Sequence, residues 1–159
     1  MGGLSVNGDG LKHMETRSHH LVLPRDANHY GTLYAGSLLS LALEAGYATA
    51  FRIAGPHASL VLKRVLDLRC YDPVAVGHVV EIRGTEVFRA RAHLVIALYG
   101  SPLPGRRGRW MDGLMQFVQV DSTGRAEPLG VPPHEVEPEL EEPWPALRAR
   151  CRRLLAIRH

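Results

Sequence analysis

Asn28-His29-Tyr30-Gly31-Thr32-Leu33-Tyr34-Ala35-Gly36-Ser37 runs without a break into an apolar segment at 38–53. A polar, glycine-punctuated turn opening onto such a segment reads as the start and body of one long helix. Leucine or alanine stands at 38, 39, 41, 42, 43, 45, 48 and 50, Phe51 comes next, and Gly55-Pro56 ends the run. A helix apolar almost all round has to be buried on most sides. The exceptions are Ser37, Ser40 and Glu44, spaced i, i+3, i+7 along one stripe that Tyr47 continues. A lone acid in the middle of such a helix needs either a use or a partner.

On both sides of this helix the period changes to that of strands. Leu21-Val22-Leu23, stopped by Pro24, predicts a first strand within 18–24. In 59–71, Leu60, Leu62, Leu66, Leu68 and Cys70 alternate with Lys63, Asp67 and Arg69. Arg64 falls on the apolar face there, which a bulge or a strand end would explain. Asp72-Pro73 and Gly77 turn the chain, and further strands are expected over 78–88, 89–99 and 109–120. Leu94, Ile96 and Leu98 share a face of the fourth strand. The connections among the last three are too short for crossover helices, so these strands are antiparallel. One buried helix and about five antiparallel strands define an α+β domain with the sheet wrapped around the helix.

The chain divides into an N-terminal tail at 1–16, a domain at 17–128, and a Pro/Glu-rich arm with a short basic helix at 129–159. Leu147, Cys151, Leu154 and Leu155 form the apolar stripe of that helix among four arginines. Docking on its own or a neighbouring subunit is the plain role for it; a membrane surface or a nucleotide is the other. At 159 residues the chain is long enough to bury about two-thirds of its surface. No apolar run reaches the ~18 residues of a membrane span. The start of the chain has no secretion-signal pattern, and Cys70 and Cys151 suggest neither a disulfide framework nor a metal site. A reducing cytoplasm is the expected compartment. Net charge is +3, and only Lys12 and Lys63 among the 19 basic residues are lysine. Arginine suits phosphate recognition, but a base-composition bias gives the same excess.

Two motifs carry a resemblance. Asn28-x-x-Gly31-Thr32-Leu33-Tyr34-Ala35-Gly36 resembles the segment that begins the central helix of hot-dog-fold thioesterases. Asp72-Pro73-Val74-Ala75-Val76-Gly77-His78 resembles a turn between two strands of the same superfamily. With the order of elements, the likeness covers roughly residues 18–125. It implies the hot-dog fold and hydrolysis of an acyl-CoA or acyl-carrier thioester. No cofactor is implied, coenzyme A being part of the substrate. The partner is a second copy in a homodimer, or a tetramer of such pairs, without nucleic acid or a membrane span. A non-catalytic module binding acyl-CoA or lipid, and a hot-dog hydratase or dehydratase, are the alternatives.

Amides of a first helical turn lack internal partners and carry partial positive charge, so those of Tyr34, Ala35 and Gly36 suit a thioester oxyanion. By resemblance Ala35 stands at the usual oxyanion donor, and Asn28 at an asparagine holding the attacking water or the carbonyl. Asn28 as a loop residue making local backbone bonds is the other reading. The family's carboxylate falls at Leu43, and Glu44 stands one position later, rotated by about 100°. Glu44 is either the base or a structural carboxylate paired with Arg52, Arg64 or a tyrosine. His29 is the alternative base. Tyr34, Ser40, Arg89 and Arg91 complete the expected substrate contacts, the arginines as clamps for the coenzyme A phosphates. Ala35 and Glu44 lie nine residues apart, about 13 Å along one helix, so a site using both needs two subunits.

Overall fold

The computed structural model describes residues 14–135 and 137–157. Five strands form one antiparallel sheet: β1 (Glu15–Leu21), β2 (Leu60–Cys70), β3 (Val79–Arg89), β4 (His93–Gly100) and β5 (Met111–Gln119). Their order across the sheet is β1-β3-β4-β5-β2, leaving β1 and β2 as edges. Helix α1 (Ala35–Ala54) lies on one face and α2 (Trp144–Ala156) on the other. Most of the stretch read as an N-terminal tail lies outside the described residues, but Glu15 and Thr16 are already in β1.

The core sits between α1 and the inner face of the sheet. Leu38, Ala42, Ala45 and Ala50 meet Ile82, Leu94, Ile96, Leu98, Met115 and Phe117. Each large side chain buried here contributes about 1.5–3 kcal/mol through removal from water. Small residues let the helix settle close to the strands: a Cβ at Gly46 would stand 3.2 Å from Met115 Sδ and 3.5 Å from the Phe117 ring. Thr16 Oγ1 meets Thr49 Oγ1 at 2.5 Å and ties β1 to the same helix.

Two expectations change. The helix is not buried on most sides, because Leu39, Ser40, Glu44, Tyr47 and Ala48 remain exposed; Leu39 is 42% and Tyr47 41% accessible. The sheet covers only one side of an almost entirely apolar helix. Strand β2 also fails to keep one alternation. Its register with β5 shifts between Leu62 and Arg64 and again between Val65 and Asp67. Each bulge inserts a residue and flips the next stretch of the strand to the other face. Leu60 and Leu68 therefore reach the inner core while Leu66 packs on the outer one. Arg64 is placed by the first of these bulges.

The segment from 129 onward, a Pro/Glu-rich arm and a short helix, packs against both cores. Leu129 joins the inner core, and Leu140, Trp144, Leu147 and Cys151 form the outer one with Val87, Val95, Ala97 and Leu114. Arg150 of α2 is drawn in by carboxylates of the sheet. Asp112, 1% exposed, accepts from Arg150 at 2.7 Å, Arg109 at 2.6 Å and Tyr71 at 3.0 Å. Trp144 Nε1 donates to Glu15 at 3.1 Å, beside the Arg83–Glu15 pair. The helix docks on its own subunit.

Candidate active site

The two motifs, forty residues apart in sequence, are stitched together in space. Leu33 N donates to Val74 O at 2.8 Å, Val76 N to Gly31 O at 3.1 Å, and Thr32 bridges Ala75. Gly77 N in turn donates to Val22 O at 2.8 Å, joining the end of β1 to the same assembly. Within the loop, Asn28 Oδ1 accepts from Tyr30 N at 2.9 Å and Thr32 N at 3.2 Å. Gly31 N donates to Asn28 O at 3.0 Å with φ of 75°, a conformation that costs glycine little. Asn28 thus shapes the turn: its carbonyl oxygen is engaged locally, and one Nδ2 hydrogen beyond the bond to Thr32 Oγ1 is left.

The turn delivers the chain into α1 with Tyr34 as N-cap and no side chain capping it. Leu38 N is the first amide of the helix to find an internal acceptor, Tyr34 O at 3.0 Å. The amides of Ala35, Gly36 and Ser37 precede it and make no hydrogen bond among the described residues, whereas that of Tyr34, expected to join them, donates to Asp26 O at 3.0 Å. Tyr34, 46% exposed, folds its phenol end against Gly36, into the space a Cβ there would need. Only glycine admits that ring beside the first turn.

Glu44 lies on the exposed crest of α1, and among the described residues it makes no hydrogen bond or ion pair. Neither Arg52 nor a tyrosine holds it, and Arg64 is occupied elsewhere, donating to Gln116 at 2.8 Å. Leu43, the position of the family's acid, packs on the core. The Glu44 charge is felt instead by His20, on the helix-facing side of β1. Burial lowers the His20 pKa and Glu44 opposes that shift. Sequence reading singled out His29; that ring lies exposed on the loop, 3.9 Å from the Tyr30 ring. Strand alternation could have flagged His20, had the inner face of β1 been known.

The expected phosphate clamp does not form at Arg89. Its guanidinium grips Glu86 at 2.8 and 2.7 Å and donates to Pro132 O at 2.8 Å, so it is spent on the fold. Arg91 is exposed in the β3–β4 turn, and Ser40 is exposed on α1, one turn before Glu44. The structure therefore brings together Asn28, Tyr34, Ala35 and Gly36, and leaves Glu44 and Ser40 further along the same helix.

One long helix laid on a five-stranded antiparallel sheet, with free amides at that helix's start, defines a hot-dog protein built to handle a thioester. No family model matches the chain. It is 32% identical over 117 residues to the acyl-CoA thioester hydrolase YciA of Salmonella typhimurium, covering 70% of this chain and 86% of that protein. A hexameric thioesterase of Yersinia pestis is 28% identical with a TM-score of 0.63, over 72% of this chain and 94% of its own. An acyl-CoA hydrolase of Staphylococcus aureus, solved with butyryl coenzyme A, shares the fold at 20% identity and a TM-score of 0.68, over 89% and 90%. The chain belongs to the hot-dog acyl-CoA thioesterase family. A hexamer, rather than a dimer or tetramer, is the assembly described for the Yersinia protein.

Proposed function

We propose that this thioesterase hydrolyses acyl-coenzyme A in a site shared by two copies of the chain. Water adds to the thioester carbon as Glu44 of one copy takes its proton. The oxyanion is met by the Ala35 and Gly36 amides of the other, with Asn28 holding the loop and offering its remaining Nδ2 hydrogen. Collapse breaks the carbon–sulfur bond, and the proton on Glu44 passes to the departing thiolate, leaving a carboxylic acid and free coenzyme A. His29, Tyr34 and Ser40 line the approach, and Arg91 is the remaining arginine of the expected clamp.

The observation that carries this reading is the separation of two unpartnered features on one helix. Free first-turn amides and an unpaired carboxylate stand about 13 Å apart, too far to touch one carbonyl within a chain. The half-exposed apolar crest around Leu39 and Tyr47, with the open edge of β2, offers the surface a second copy would cover. A hexamer is three such pairs.

Subunit mixing tests it. Glu44→Gln and Asn28→Ala variants, each inactive alone, should regain about a quarter of wild-type activity when co-assembled at random, since half the pairs then hold one intact site. A site contained in one chain would regain nothing. The packing of Leu43, where the family has its acid, favours one second reading, a module that binds acyl-CoA without turning it over. Thermal stabilisation by acyl-CoA with no thiol released across a broad thioester panel would establish it.

A further inference from the structure

On the outer face of the sheet, three cationic or basic side chains gather with no acid among them. Arg64 Nε donates to Gln116 Oε1 at 2.8 Å, and Gln116 Nε2 lies 2.9 Å from His93 Nδ1. Gln116 is only 1% exposed, so this brace is fixed from beneath. Its orientation is set by chemistry: a guanidinium can only donate, so the amide oxygen faces Arg64 and the amide nitrogen faces His93. Nδ1 of His93 must then accept, which puts the ring proton on Nε2. The buried glutamine thus holds two donors in one orientation, the Arg64 terminal nitrogens and His93 Nε2–H.

Three neighbouring cations on this face are neutralised. Arg69 pairs with Asp67 at 2.9 Å, Arg109 with Asp112 at 2.6 Å, and Arg150 with both acids. Asp67, the next carboxylate along β2 from Arg64, is thereby taken. Lys63, in the bulge beside Arg64, adds a second positive charge. Burial and the charges of Lys63 and Arg64 hold the His93 pKa below its ordinary value. Among the described residues none of the three has an ion pair. Oriented donors with uncompensated positive charge suit an anion with several acceptor oxygens.

We propose that Arg64, His93 and Lys63, braced by Gln116, form the subsite for a phosphate of the coenzyme A moiety. The choice of coenzyme A rests on the proposed thioesterase activity. Its phosphates lie at the far end of the pantetheine arm from the thioester, so a subsite away from the α1 turn is what the molecule requires. Edge strand β2, which carries Lys63 and Arg64, is also the edge that a second copy would adjoin.

Steady-state kinetics with two substrates read this out: an acyl-CoA, and the same acyl group on N-acetylcysteamine, which has no phosphate. Arg64→Gln should raise KM for the acyl-CoA by ~10-fold or more, the size of a lost charge-assisted contact, with kcat little changed. The phosphate-free ester should be turned over as by wild type. Lys63→Gln, at an exposed position, should give the same split if Arg64→Gln does not fold; Arg125→Gln, on the β5 turn, should change neither. An unchanged KM for the acyl-CoA in both variants, or equal losses on both substrates, overturns the subsite. If wild type cleaves neither ester, the hydrolase reading fails, and calorimetric titration with free coenzyme A decides the subsite alone. Binding ~10-fold weaker in Arg64→Gln sustains it. Equal binding, or none to wild type, overturns it.

Discussion

Glu44 is an acid with no structural duty in its own chain, exposed and unpaired among the described residues. Its replacement should therefore separate chemistry from stability. Glu44→Gln is expected to lower kcat about a hundredfold, the usual size of a lost general base, while the melting temperature stays put. Full activity in that variant would remove Glu44 from the mechanism. Asn28 behaves in the opposite way, because its oxygen holds the amides of Tyr30 and Thr32. Asn28→Ala should cost about 1–2 kcal/mol in urea unfolding as well as activity, since two loop donors lose their acceptor. The contrast was half legible in sequence. The motif placed Asn28 and put the family's acid at Leu43, one position before Glu44, but whether each side chain turns inward or outward depends on neighbours far along the chain.

Helix α2 is held by charges that a reading of its apolar stripe does not reveal. Asp112, sunk in β5 among apolar residues, is tolerable only because Arg150, Arg109 and Tyr71 reach it. Asp112→Ala leaves Arg150 with Asp67 alone and takes the acceptor from Arg109 and Tyr71, and should destabilise by about 1–3 kcal/mol, read from the urea midpoint. At the other end of α2, burial alone would raise the Glu15 pKa, but hydrogen bonds from Arg83 and Trp144, with the charges of Arg83 and Arg17, outweigh it. The carboxyl therefore titrates below its ordinary 4.5. A folded-state pKa below the unfolded one gives stability that is fully present above 4.5 and lost as pH falls through the lowered value. Urea midpoints measured from about pH 6 down to pH 3 should drop more steeply in wild type than in Glu15→Gln. Parallel curves would show that this staple contributes nothing.

At the scale of the whole molecule, the exposed crest of α1 is the feature that one chain leaves unfinished. Tyr47 stacks near Phe51 and Phe117 yet is 41% accessible, and Leu39 is equally bare. A charge placed there should leave the fold intact and break the assembly. Tyr47→Glu is expected to reduce the mass in sedimentation equilibrium toward that of one chain and to abolish turnover with it. An unchanged mass would move the interface elsewhere.

Local chemistry determined much of this protein in advance. Period and punctuation placed the long helix and the antiparallel strands, because turn residues and side-chain alternation act over a few positions. Arg64 on the apolar face pointed to a bulge or a strand end, and the bulge is what forms. Two things lay beyond that range. The bulges of β2 decide which residues face α1 and which face α2, and they are settled by pairing with β5 rather than by β2 itself. Whether an arginine is free or spent depends on a carboxylate brought near by folding, which is why Arg89, expected to bind phosphate, holds Glu86 instead. The helix looked buried on most sides because hydrophobicity records that a face avoids water, not which surface covers it. Only the tertiary structure shows that the sheet covers one side of α1 and leaves the crest with Glu44 outside.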